Sequence, residues 1–155
     1  MRNRNRIIYF GFIAFLMLSE MITSNIYSLI GPLDRTAEIM GVSIAVEQVR
    51  LVILIILDAV PGVGAVLAIY GYRRVDAIMA GRVGVYLATF GMFAYGAYQF
   101  WSATFQLGNM QGFVKLVGTV YASLGIVAWY VGGDLRNGFA WSEASTPTDP
   151  LSTDR

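Results

Sequence analysis

Four long apolar stretches, at 7–30, 49–72, 83–106 and 113–133, constrain this chain more than any other feature. As helices rising about 1.5 Å per residue, each is long enough to cross the ~30 Å hydrocarbon core of a bilayer. Backbone groups in lipid must be satisfied within the protein, so stretches of this kind are read as helices. With 155 residues, 56% of them hydrophobic and 14% charged, the chain has too little polar surface to cover a soluble globule. The sequence therefore predicts an all-α fold, a polytopic membrane protein built as a four-transmembrane-helix bundle. The connections at 73–82 and 107–112 are short, which makes successive helices antiparallel neighbours and gives up-down-up-down topology.

Orientation follows from the basic residues. Arg2, Arg4, Arg6, Arg73, Arg74, Arg82, Arg136 and Arg155 fall on one side of the four stretches, and Arg35, Arg50 and Lys115 on the other. Cytoplasmic loops collect Lys and Arg, so both termini are expected in the cytoplasm of a multi-pass cell-membrane protein, with 31–48 and 107–112 outside. The start, Arg2, Arg4 and Arg6 before an apolar run, also has the form of a secretory signal. Cleavage after Thr23 or Ser24 would put Met21 or Ile22 where a small residue is required, so an uncleaved first helix is expected.

The domain reading is one four-helix transmembrane domain over 1–141 and a disordered cytoplasmic tail over 142–155, rich in Ser, Thr, Pro and Asp. The 31–48 connection opens with Gly31-Pro32, which should stop the first helix. Its middle can form a short amphipathic helix with Leu33, Ala37, Met40 and Ile44 on one face and Asp34, Arg35, Glu38 and Glu47 toward water. Small residues recur every fourth position at Ala80, Gly84 and Ala88, at Gly64 and Ala68, and at Gly118 and Ala122. That spacing lets helix backbones approach closely.

Composition removes whole classes of chemistry. Without cysteine or histidine the chain can build no disulfide, thiolate or imidazole metal site, and no Ser–His–Asp triad. The glycines of Gly62-Val63-Gly64 and Gly132-Gly133 are followed by no phosphate-loop lysine. No catalytic residue, cofactor or metal is expected, and the arginines gathered at segment ends do not suit nucleic acid. The expected partners are the lipid bilayer and either further copies of the chain or a larger membrane complex.

Two carboxylates inside the stretches are the sharpest chemical signal. Counting rise from the outer ends, Glu20 and Asp58 each lie roughly 12–15 Å deep, so neighbouring antiparallel helices can bring them together. A close carboxylate pair in low dielectric tends to share one proton. Tyr95, Gln99, Ser102 and Gln106 form one stripe on the third helix, Ser24 shares a face with Glu20, and Lys115 and Thr119 belong nearer the outer mouth. Glu20, Asp58 and Gln99 are thus the candidate proton or cation site, and Ser24, Tyr95, Ser102, Gln106, Lys115 and Thr119 the candidate lining of a polar cavity. Pro61 removes a backbone hydrogen bond beside Asp58. The expected role is that of a structural or accessory membrane component; the alternative is a proton- or small-cation-coupled transporter that uses the carboxylates, working as a homo-oligomer.

Overall fold

The computed structural model describes residues 2–31, 33–104 and 109–137, and these are almost entirely helical. The expected tail at 142–155 and Gln106 lie outside the described residues. Helix α1, Arg2–Glu20, passes without a break into a π-helical segment, Met21–Ile26, and then into the single turn α2, Tyr27–Ile30. The residues at both junctions keep right-handed helical dihedrals, so the three pieces form one rod. The rod stops at Gly31, whose backbone turns extended before Pro32.

Helix α3, Leu33–Met40, is the short element expected in the 31–48 connection. Ala37 is buried and Leu33 half-buried, while Asp34, Arg35 and Glu38 are exposed, as the amphipathic pattern requires; Ile44, expected on the same apolar face, instead begins the next helix and is 49% exposed. Gly41 closes α3 with φ +65°, a left-handed conformation that an L side chain would strain, and Val42 N–H donates back to Ala37 O at 3.1 Å. Ser43 then caps α4, Ile44–Arg73, by accepting from Val46 N–H.

The four long helices begin or end at other residues than hydropathy alone suggests. Helix α4 starts five residues before 49 because its first turns carry their own cap and an internal ion pair. At 30 residues it is about 45 Å long, half as long again as a ~30 Å hydrocarbon core. A 3-10 turn, Val75–Ala77, leads into α5, Ile78–Ala103, which takes Arg82 into its second turn. Helix α6 spans Asn109–Val131, and a last short helix α7, Gly133–Asn137, packs against α4 and α5. Four helical segments, Asn3–Ile30, Ile44–Arg73, Ile78–Ala103 and Met110–Val131, are long and apolar enough to cross a membrane.

Packing follows chain order: α1 lies on α4, α4 on α5, and α5 on α6. Glycines set the closest approaches. A Cβ at Gly64 would meet Ala88 N at 2.5 Å, and one at Gly84 would overlap the backbone of Ala68 and Gly64. Gly91 faces the Pro61 ring, and Gly96 faces Gly118 and Ala122 on α6. In each pair, rising numbers on one helix meet falling numbers on the next. Phe10, Ile13 and Met17 from α1 complete the buried core with Ala65, Ala68, Val85, Ala88 and Met92. The outer surface is strongly apolar: Phe15 is 74% exposed, Ile30 80% and Tyr130 77%. A surface of that kind is compatible with lipid.

Candidate functional site

Buried Asn25 and Asp58 meet half-buried Glu20 in one polar layer that touches all four long helices. Glu20, the last residue of α1, accepts the Tyr95 hydroxyl on Oε1 and the Tyr121 hydroxyl on Oε2, each at 2.6 Å. Tyr95 comes from α5 and Tyr121 from α6, and their rings lie 4.5 Å apart. From α4, Asp58 presents Oδ2 to Asn25 Nδ2 at 2.5 Å. Asp58 has no solvent exposure, and it lies within electrostatic reach of Glu20, Tyr95 and Tyr121. Its Oδ1 is buried and has no hydrogen-bond partner among the described residues.

The π-helical segment explains why Asn25, and not Ser24, joins this layer. In an α-helix the residue four positions after Glu20 returns nearest to its face, which is the reason Ser24 was expected. A π turn bonds i to i+5, so the residue five positions on comes round instead. Met21–Ile26 is such a turn; Asn25 is accordingly buried at 4% exposure, and Ser24 is turned outward. Nothing in hydropathy marks a π turn.

The other expected lining residues are distributed differently. Tyr95 is in the cluster. Gln99 is half-buried with its Cβ toward Gly118, and among the described residues it makes no hydrogen bond to either carboxylate. Ser102 donates to Gln99 O one turn back. Lys115 and Thr119 are exposed, and the Thr119 hydroxyl donates to Lys115 O, so neither turns toward the carboxylates. Tyr121 was not anticipated, because a tyrosine mid-helix reads equally as packing. Its one available signal is that a phenol in apolar surroundings needs an acceptor.

A second polar group sits at the α3 end of α4. Glu47, expected to face water, has no solvent exposure and is held by Arg50, whose Nε and Nη2 donate at 2.7 and 2.6 Å. The correction has a simple cause: a carboxylate one turn from an arginine on the same helix can be covered once a bidentate pair satisfies it. Tyr98 on α5, one turn beyond Tyr95, lies within electrostatic reach of Arg50. Polar side chains thus continue from the carboxylate layer toward α3. In the other direction the core is apolar around Met17, Ala65, Ala68 and Ala88.

Basic residues from distant parts of the chain meet at the opposite end. Arg6 on α1 pairs with Asp134 on α7, Arg82 Nε donates to Leu135 O, and the Arg136 guanidinium lies 3.5 Å from the centre of the Trp129 ring. Two more tyrosines fasten the helices there. Tyr9 donates to Leu124 O at 2.6 Å and Tyr72 to Val131 O at 2.9 Å. Comparison with known proteins finds no family model that matches the chain, and no curated protein or solved structure that matches it.

Proposed function

We propose that this chain is a non-enzymatic, multi-pass cell-membrane protein with up-down-up-down topology and both termini cytoplasmic, acting as a structural or accessory component of the membrane. One observation carries the reading. Glu20 is held by hydroxyls from two other helices while Asp58 takes an amide from the helix of Glu20, so the carboxylates serve as interhelical anchors. Interhelical hydrogen bonds replace, in lipid, the hydrophobic drive that holds soluble bundles together. The strongly apolar outer surface supports bilayer residence, and the collection of Arg6, Arg82 and Arg136 at one end supports the cytoplasmic assignment of that end. A lipid-facing chain this small offers its surface to further copies of itself or to a larger membrane complex.

A second reading, coupled transport of protons or small cations, is favoured by Asp58 Oδ1, a buried carboxylate oxygen left without a partner. Intramembrane carboxylates often mark ion pathways. Reconstitution of wild-type protein and of the Glu20→Gln, Asp58→Asn double variant into liposomes separates the two. The anchoring role predicts no pH-driven flux in either sample and a double variant that still folds. Flux in the wild type that the folded double variant lacks would replace the first reading by the second.

A further inference from the structure

The carboxylate layer is short of donors by one. Asn25 Nδ2, Tyr95 Oη and Tyr121 Oη supply three hydrogen bonds to four carboxylate oxygens, and the oxygen left over is Asp58 Oδ1. The groups facing it come from every helix packed there: Glu20 and Asn25 from the first rod, Tyr95 from α5 and Tyr121 from α6. None of them is a cation. Arg50 lies two turns away on α4 and is engaged by Glu47, and Lys115 is exposed. Two full negative charges without a counter-charge, one on the fully buried Asp58 and one on the half-buried Glu20 beside it, form an arrangement that buried sites avoid.

We propose that Asp58 Oδ1 is a proton-binding position, with Glu20 as its fixed anionic neighbour. The asymmetry comes from the donors: Glu20 has both oxygens occupied by phenols, which suits a carboxylate, whereas Asp58 has one oxygen free to carry O–H. Loading forms that single O–H bond from a proton of the surrounding water, and unloading returns the proton and leaves the carboxylate. A metal cation fits the layer less well. Hard cations take about six or more oxygen ligands, and here Asn25 turns its NH2 group, not its carbonyl, toward Asp58. Proton binding stands apart from flux, and only movement of that proton across the protein rests on the transport reading.

Infrared difference spectroscopy across a pH titration, on wild-type protein in liposomes, is the test. A protonated-carboxyl band should appear, shift on exchange into deuterated water, and move when the aspartates are isotopically labelled at the carboxyl carbon. The label identifies the residue type without any mutation. Asp58→Asn should abolish the band, while Glu20→Gln should leave it in place. A band insensitive to the aspartate label, or one lost in Glu20→Gln and kept in Asp58→Asn, overturns the assignment. So does a band suppressed by sodium ions at constant pH, which would make the site a cation site. A band on Asp58 in liposomes that pass no protons upholds the binding position and removes the transport reading.

Discussion

Removing the Tyr121 hydroxyl should loosen the hold of the bundle on the far end of α1. Helix α1 rests mainly on α4, and α6 reaches it chiefly through the hydroxyls of Tyr9 and Tyr121. Tyr121→Phe keeps the ring and its tilted contact with Tyr95 while deleting the donor to Glu20 Oε2. A hydrogen bond to a charged group contributes about 1.5–3 kcal/mol in soluble proteins. Between membrane helices the average falls to ~0.6 kcal/mol with a maximum near 1.7, because the separated helices also find polar partners. With the bond short and its surroundings mostly buried, about 1–1.5 kcal/mol is expected for Tyr121→Phe, and the same for Tyr95→Phe. The double variant should exceed the sum by roughly 1 kcal/mol, since only then does Glu20 lose its last donor and meet the full desolvation cost. Reversible unfolding in bicelles, followed by helix content and closed into a cycle with Glu20→Gln, gives these numbers. A double variant within ~0.5 kcal/mol of wild type, or one that is strictly additive, refutes the anchoring argument.

The glycine seam gives an internal control: Gly84→Ala should destabilise by about 1–3 kcal/mol because its Cβ meets backbone that cannot move aside, while Gly11→Ala, with nothing within 4 Å, should be silent or slightly stabilising in the same unfolding assay. Asp134→Asn breaks the partly exposed ion pair to Arg6, costing at most ~1 kcal/mol, and the difference should shrink as salt rises. Single cysteines at Ser43 and Ser145 should react with an impermeant reagent from opposite faces of intact cells. Reaction from the same face would break the four-span order.

The helices were readable because hydropathy runs of this length have few other outcomes. Their ends were not, since Ser43, the Glu47–Arg50 pair and the 3-10 turn at Val75–Ala77 decide them locally. Glu20 and Asp58 stood out as charges in apolar runs, and simple rise per residue set them at one depth. What lay beyond the sequence was rotation about the helix axis. The π turn moved Asn25 inward and Ser24 outward, and the stripe of Tyr95, Gln99 and Ser102 delivered only Tyr95, because the α5 seam against α6 is set by Gly96 and Gly118.

The molecule divides its cohesion between two kinds of contact. Helices α4, α5 and α6 meet through glycines, where backbones touch and dispersion suffices. Helix α1 brings Phe10, Ile13 and Met17 to the core, but its far end docks by polar groups: Glu20 to two phenols and Asn25 to Asp58. The π turn is a departure from ideal helix geometry that brings Asn25 inward to the buried Asp58 while Glu20 keeps its two phenols. A change of charge on Asp58 therefore acts first on Asn25 and Glu20, the residues that hold the end of α1. Loading a proton there would alter how firmly this rod sits against the other three, so the proposed anchoring and proton binding would be two properties of one contact.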